Sequence, residues 1–291
     1  MSTIGFVGLG MMGNPMAKNL IKAGNNVLVY DIRPEATKEF EALRAGVSPD
    51  LKSLASCDPI FIMVNTGNQA SQVIKGISSA ATTGRGPLIV VMSTISPDLV
   101  KNLAEDVSPK GVRVIDAPVS GAPILAQTGG LSIMVGGDAS LFEYVKPYLE
   151  AMGKAIRHIG PLGMGLVMKL VNNLVGIANG YVLNEALKIG LNSGLDLKTM
   201  VEMIRASSGN NWIVENWDAY MAFLGLSVAQ PQLLQDFHQT ASKDIQTILE
   251  WTRTKGMETL VVDAVLSILN SSDAMSIEGV QRLLKGVSYK T

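Results

Sequence analysis

Thr3-Ile4-Gly5-Phe6-Val7-Gly8-Leu9-Gly10-Met11-Met12-Gly13 is the stretch that decides the fold of this 291-residue chain. Its first five residues form a short apolar run that reads as a strand, and Gly8-x-Gly10-x-x-Gly13 follows at once. A helical pattern then runs through Met16, Ala17, Leu20 and Ile21 to Gly24, a glycine placed to stop it. Val27 to Tyr30 reads as a second strand and is closed by Asp31. Strand, glycine-rich turn, helix, strand and acid form the setting in which this motif signals a dinucleotide site. The glycines permit a tight turn and let a pyrophosphate approach the helix N-terminus. Asp31 stands 18 residues past Gly13, near the ~20-residue spacing of an acid that binds the adenosine ribose. Such an acid hydrogen-bonds the free ribose hydroxyls and repels a 2′-phosphate, so NAD is expected ahead of NADP. Arg33 opposes this, because a nearby arginine accommodates the phosphate of NADP.

Farther along, Ile60 to Val64, Leu88 to Met92 and Val112 to Asp116 read as strands alternating with helical or loop segments. The alternation predicts a doubly wound, mainly parallel sheet of the Rossmann type. Ligands of such sheets lie outside the carboxyl ends of the strands, so Val64-Asn65 and Ser93-Thr94 are expected to border the nicotinamide. Leu131 to Val135 and Ala155 to Ile159 extend the sheet, with Gly136-Gly137-Asp138 turning into a helix over 139–152. Between them lies Asp116-Ala117-Pro118-Val119-Ser120-Gly121-Ala122-Pro123, a strand end rich in turn formers. It offers a hydroxyl and backbone N–H groups suited to a carboxylate.

Hydrophobic residues at 47% and charged residues at 17% describe a well-buried globular chain, long enough for two domains. A net charge of −1 gives no basis for binding nucleic acid or an anionic membrane. Cys57 is the single cysteine, so no internal disulfide forms and a reducing compartment is expected. The N-terminal residues lack the pattern of a signal peptide. Asn179, Asn184, Glu185 and Lys188 interrupt the apolar run from Leu174 to Leu191, which argues against a membrane span. A soluble, cytoplasmic protein without a metal site is expected.

The second half reads as helices only. A single helix is predicted from Leu166 to Ser193, ending at Gly194, with Asp196 capping the next. Further helices are expected over 197–206, 214–223, 233–253, 258–269 and 280–284, with 273–278 as a short connection. The predicted architecture is an α/β chain: a Rossmann domain over 1–162, then an all-α domain over 163–291 whose spine is a long interdomain helix. Lys169 is the only charge in the first turns of that helix, and Asn173 lies four residues on along the same face. A lone lysine there either lays its stem on apolar surface with its head in water or serves catalysis at the domain seam.

Four blocks in this order resemble the β-hydroxyacid dehydrogenase family, which includes the 3-hydroxyisobutyrate dehydrogenases. They are Gly8 to Leu20, Asp116 to Gly121, Gly163-Met164-Gly165 through Lys169 to Asn173, and Lys243-Asp244. The resemblance covers essentially the whole chain. It implies that Gly8, Gly10, Met12, Gly13 and Asp31 hold NAD(P) together with Val64, Asn65, Thr94 and, from the helical domain, Lys243. It implies that Lys169 is the catalytic lysine, a general acid in carbonyl reduction and a base in alcohol oxidation. Ser120, the backbone at Gly121 and Asn173 would bind a small carboxylate substrate. Desolvation of an amine whose reference pKa is about 10.4 favours the neutral form that a base requires.

The chain departs from the family pattern at Ala122, where a second glycine is usual, and at Met63-Val64-Asn65, where Met-Leu-Pro is common. Gln235 to Gln239 lacks the usual apolar pattern, and a frequent proline is missing near Thr259. The expected activity is hydride transfer between NAD(P) and a small β-hydroxyacid or the matching semialdehyde or keto acid. Two alternatives are a nucleotide-binding redox sensor without turnover and a C=N reductase on the same fold; Lys169 speaks against the second. Long helices with few charges predict a homodimer or homotetramer.

Overall fold

A computed structural model describes residues 3–43, 45–82, 84, 86–271 and 276–286. The chain divides into two compact units, Met1–Lys169 and Leu170–Thr291.

In the first unit the strands are β1 (Ile4–Val7), β2 (Val27–Tyr30), β3 (Gly46–Val47), β4 (Ile60–Ile62) and β5 (Leu88–Val91). They continue as β6 (Arg113–Asp116), β7 (Val119–Ser120), β8 (Leu131–Gly136) and β9 (Gly153–Gly160). Together they make one sheet in the order β3-β2-β1-β4-β5-β6-β8-β7, with β9 also pairing with β8. From β3 through β6 every pairing is parallel. The β8 strand runs antiparallel to β6 and β7, and β9 runs parallel to β8. The sheet is therefore doubly wound and mainly parallel, as predicted, and it is extended by a mixed edge.

Helices α1 (Gly13–Lys22), α2 (Lys38–Ala42), α3 (Gly67–Ser78), α4 (Pro97–Val107), α5 (Ala122–Gln127) and α6 (Ala139–Met152) connect the strands. Alternation along β5 shows why two layers form. Leu88 and Val90 pack into a core with Met16 and Leu20 of α1 and Val145 and Leu149 of α6. Ile89 and Val91 point the other way, into a core with Ile74 and Ile77 of α3 and Leu103 of α4. A strand buried on both faces has to be apolar throughout, which is why β5 reads Leu-Ile-Val-Val.

The first turns of α7 (Met164–Asn192) belong to this unit, and the boundary between units falls inside that helix. The second unit consists of the rest of α7 with α8 (Leu197–Arg205), α9 (Trp212–Glu215), α10 (Trp217–Ala229), α11 (Pro231–Thr254), α12 (Leu260–Leu269) and α13 (Ile277–Lys285). By length and hydropathy α7 could cross a membrane. Here it is the spine of two packed clusters instead. Leu183, Leu187 and Leu191 pack with residues of α8 and α10, and Tyr181 packs with residues of α11 and α12. Its end and the next cap are as predicted: Gly194 has φ +89°, and the Asp196 side chain accepts from the Thr199 N–H at 2.8 Å.

Two local expectations are corrected. The helix predicted over 214–223 is two helices, α9 and α10, parted at Asn216, whose φ −109° and ψ 39° are not helical. Asn211 caps α9 by accepting from Ile213 and Val214, so the chain starts a helix earlier than apolar periodicity suggests. The short connection expected over 273–278 is also changed. Residues 273–275 lie outside the described residues, and Ser276 already caps α13 through Gly279.

Candidate active site

Because β1, β4, β5 and β6 are parallel neighbours, their carboxyl ends share one edge of the sheet. That edge carries Gly8 after β1, Met63 to Asn65 after β4, Met92 to Thr94 after β5, and Asp116 at the end of β6. Three strand spacings, about 14 Å, separate the first from the last, a span that an extended dinucleotide crosses.

Each glycine of the turn has a different reason to be glycine. Gly8 takes φ +93°, and a Cβ there would overlap the Met63 carbonyl. A Cβ at Gly13 would overlap the Gly8 carbonyl oxygen, so α1 packs directly on the turn. Around Gly10 a Cβ would meet no atom within 4 Å. That opening before the α1 N-terminus, with Met12 at the N-cap position, fits a pyrophosphate. At the end of β2, Asp31 Oδ2 accepts from the Leu9 N–H at 2.7 Å, which ties the acid to the glycine turn. Arg33 folds back on the same carboxylate, with Nε 3.1 Å from Oδ1 and its N–H 2.9 Å from Oδ1. Burial raises the Asp31 pKa, but the hydrogen bonds from Arg33 and Leu9 outweigh it and hold the carboxyl below its ordinary value. The residues present thus fit a dinucleotide cofactor.

The loops after β4 and β5 are tied together by Ser93, which is fully buried. Its hydroxyl accepts from the Val64 N–H at 2.7 Å and lies 3.4 Å from the Ile62 carbonyl. Asn65 is exposed; its N–H donates to Gln69 Oε1 at 3.0 Å, and Thr66 and Gln69 form a capping box on α3. Thr94 is half-buried on the neighbouring loop.

Ser120 is half-buried on β7, opposite Ser132 of β8. Gly121 has φ +133°. Ala122, where the family usually has glycine, sits at φ +56°, the only described non-glycine residue with positive φ. An L-residue there carries roughly 1–2 kcal/mol of strain, which a glycine would relieve.

Lys169 is buried, 8% exposed, in the first unit. The start of its helix is held by Asp116, which is fully buried. Oδ1 of Asp116 accepts from the Gly163 N–H and Oδ2 from the Leu166 N–H, each at 2.6 Å. Burial pushes the Asp116 carboxyl up to about 6; the bonds from Gly163 and Leu166 and the charge of Lys101 offset only part of that. The sign follows from linkage. The fold favours the protonated acid, so stability falls as pH rises from about 4 to about 6, by roughly 3 kcal/mol.

In the second unit, the Asn173 amide donates to Asp244 Oδ2 at 2.6 Å, and Asp244 is 4% exposed. Lys243 Nζ stands 2.8 Å from the other oxygen of the same carboxylate. Asn173, Lys243 and Asp244 thus converge, although 70 residues of sequence separate the first two. Elsewhere, Asp236 accepts from Gln232, and His158 meets the Gly137 carbonyl at 2.7 Å while stacking on Phe142. These are structural contacts.

The roles of Ser93 as a tie and of Asp116 as a helix anchor emerge only in the fold. A buried hydroxyl cannot be told from a loop serine by pattern. Asp116 did leave a signal: the helix after Gly163 begins without any local capping residue.

The model of the NAD-binding domain of 6-phosphogluconate dehydrogenase matches residues 3–160. That of the NAD-binding domain of NADP-dependent 3-hydroxyisobutyrate dehydrogenase matches residues 163–281. The chain is 40% identical to the mitochondrial 3-hydroxyisobutyrate dehydrogenase of Drosophila melanogaster over 212 residues, 73% of this chain and 65% of that protein. It is 37% identical to the 3-hydroxyisobutyrate dehydrogenase of Pseudomonas aeruginosa over 223 residues, 76% of this chain and 74% of that one. The match thus spans slightly under two thirds of the fly protein's length. Among solved structures, the Mycobacterium tuberculosis 3-hydroxyisobutyrate dehydrogenase with L-serine superposes with a TM-score of 0.79 at 28% identity, covering 92% of each chain.

Proposed function

Since the chain belongs to the β-hydroxyacid dehydrogenase family, we propose that it interconverts a small β-hydroxyacid and the corresponding semialdehyde or keto acid with NAD(P). The observation that carries this is Lys169: a lysine buried on the helix that starts from the cofactor edge of the sheet. Bound NAD(P) supplies the hydride acceptor in oxidation and the donor in reduction. Lys169 Nζ takes the hydroxyl proton during oxidation and returns it to the carbonyl oxygen during reduction. The Ser120 hydroxyl and the Gly121 N–H receive the substrate carboxylate. In this reading Asn173, braced by Asp244, is the substrate-binding amide of the helical domain, and Lys243 is its cofactor-binding lysine. The relatives' names and the L-serine of the mycobacterial structure support a substrate with a hydroxyl β to a carboxylate.

NAD is the preferred cofactor in this reading. The Asp31 carboxylate is anchored beside the glycine turn, and the Arg33 guanidinium that would receive a 2′-phosphate is already engaged by it. A reducing compartment, the cytoplasm, fits the lone buried thiol of Cys57, which burial pushes up to about 11. Val171, Val175, Val182 and Ile189 leave an exposed apolar stripe along α7, which supports a homodimer or homotetramer. Light scattering that returns the 30.9 kDa mass of one chain would refute that assembly.

The experiment for the function is a panel of small β-hydroxyacids and semialdehydes offered with NAD(H) and NADP(H), following the absorbance of the reduced cofactor. Turnover of at least one pair, with a higher kcat/KM for NAD, is expected. Tight cofactor binding with no turnover across the panel would instead support a nucleotide sensor.

A further inference from the structure

We propose that Asp116 is a positioning residue for the reaction: from the end of β6 its carboxylate fixes the first turn of α7, and with it the place of Lys169. This rests on the catalytic reading of Lys169.

Helix N-termini leave N–H groups without partners, and local side chains usually cap them. No residue from Pro161 to Leu166 has such a side chain. The N–H groups of Gly163, at the N-cap, and Leu166, at N3, are the pair that a capping box serves with two side chains of the helix itself. Here one carboxylate from another strand serves both, at 2.6 Å each. A negative group in that place also favours the helix dipole.

The surroundings leave this carboxylate little freedom. A Cβ at Gly136 would overlap Asp116 Oδ1 and come within 2.7 Å of the Gly165 N–H. A Cβ at Gly165 would overlap the Met134 carbonyl and come within 2.7 Å of Asp116 Oδ2. The glycines at 136 and 165 therefore bring β8, β6 and the helix start into direct contact around the acid. Lys169 follows Leu166 by three residues, about 4.5 Å along the axis, so a shift of the first turn carries the amine with it. Displacements of about 1 Å at a reacting group cost about 100-fold in rate.

Only the ionised acid accepts at both oxygens. Protonation turns one oxygen into a donor facing an N–H and releases one of the two bonds. The groups packed on it are the backbones of β8 and α7, the apolar residues of β5, and Lys101 of α4, whose side chain lies over Gly163 and whose charge favours the ionised form. The titration near pH 6 thus loosens the helix start.

The test compares wild type, Asp116→Asn, Gly136→Ala and Lys169→Ala with saturating cofactor and the best hydroxyacid of the panel. For Asp116→Asn, kcat is expected to fall about 100-fold, with KM and reduced-cofactor affinity within about 3-fold of wild type. The wild-type kcat should also show an acid limb near pH 6 that is absent in Asp116→Asn. Wild-type kcat in Asp116→Asn, or a loss confined to KM and cofactor affinity, overturns the proposal. Should Asp116→Asn fail to bind reduced cofactor, Gly136→Ala decides, because it keeps the acid and crowds it. A lowered kcat with cofactor affinity intact supports the proposal, and wild-type kcat overturns it. Full activity in Lys169→Ala would instead remove the reading on which the proposal rests.

Discussion

Lys169→Ala is expected to lower kcat by about 10³- to 10⁴-fold while cofactor affinity stays within about 3-fold of wild type. The size follows from the role. A positioned general acid or base contributes about 10²–10⁴, and in the proposed mechanism this lysine serves the only proton transfer that accompanies hydride transfer. Its substitution leaves the glycine turn, Asp31 and the Ser93 tie untouched, since these stand on β1, β2 and β5. Cofactor binding is therefore spared. The fold should also survive, because truncating a lysine removes a stem without opening a core of the size that Leu or Phe leaves. Lys169→Arg is not a rescue: guanidinium stays protonated and cannot act as a base. Cofactor fluorescence titration and steady-state rates on the same preparation separate the two quantities.

Gly13→Ala and Gly10→Ala are expected to fail differently, although both lie in one turn. A methyl group at 13 overlaps the Gly8 carbonyl oxygen and touches Phe6 of the core at 3.2 Å. Backbone has to move, so stability is expected to fall by about 3 kcal/mol or more, together with nucleotide binding. A methyl group at 10 meets nothing within 4 Å of protein, so stability is expected to change by less than about 1 kcal/mol. Nucleotide affinity should still drop by about 10-fold or more, because that opening is the proposed place of the pyrophosphate. Thermal unfolding with and without NAD separates the cases. If Gly10→Ala binds NAD as well as wild type does, the cofactor does not use this turn as described.

Much of this was readable in the residues. The run from β1 to β2 is local: each element is set by its own apolar period, its glycines and the acid that ends it, so strand and helix bounds agree within about a residue or two. The long α7 was equally plain, since Gly194 ends it in a conformation that glycine favours. What escaped depends on distant partners. β3 and β7 have two residues each and exist only because β2 and β8 offer them backbone groups to pair with. The break at Asn216 is a backbone event inside a stretch of helical periodicity, which does not register it. Asp116 sits inside a recognised motif, yet its anchoring role appears only when a helix 47 residues downstream returns to the end of β6. Ala122 was legible as a departure from the family, but its positive φ was not, because alanine does not announce that conformation.

The central claim is that Lys169 moves the hydroxyl proton, and a pH profile tests it most directly. Wild type and Lys169→Ala, saturated with NAD and the best hydroxyacid, are compared for kcat of oxidation from about pH 7 to about pH 10, above the acid limb expected from Asp116. The wild-type rate should climb as the lysine loses its proton and then level off, while the residual rate of Lys169→Ala should lack that ionisation. The same climb in both, at comparable rates, would contradict the account.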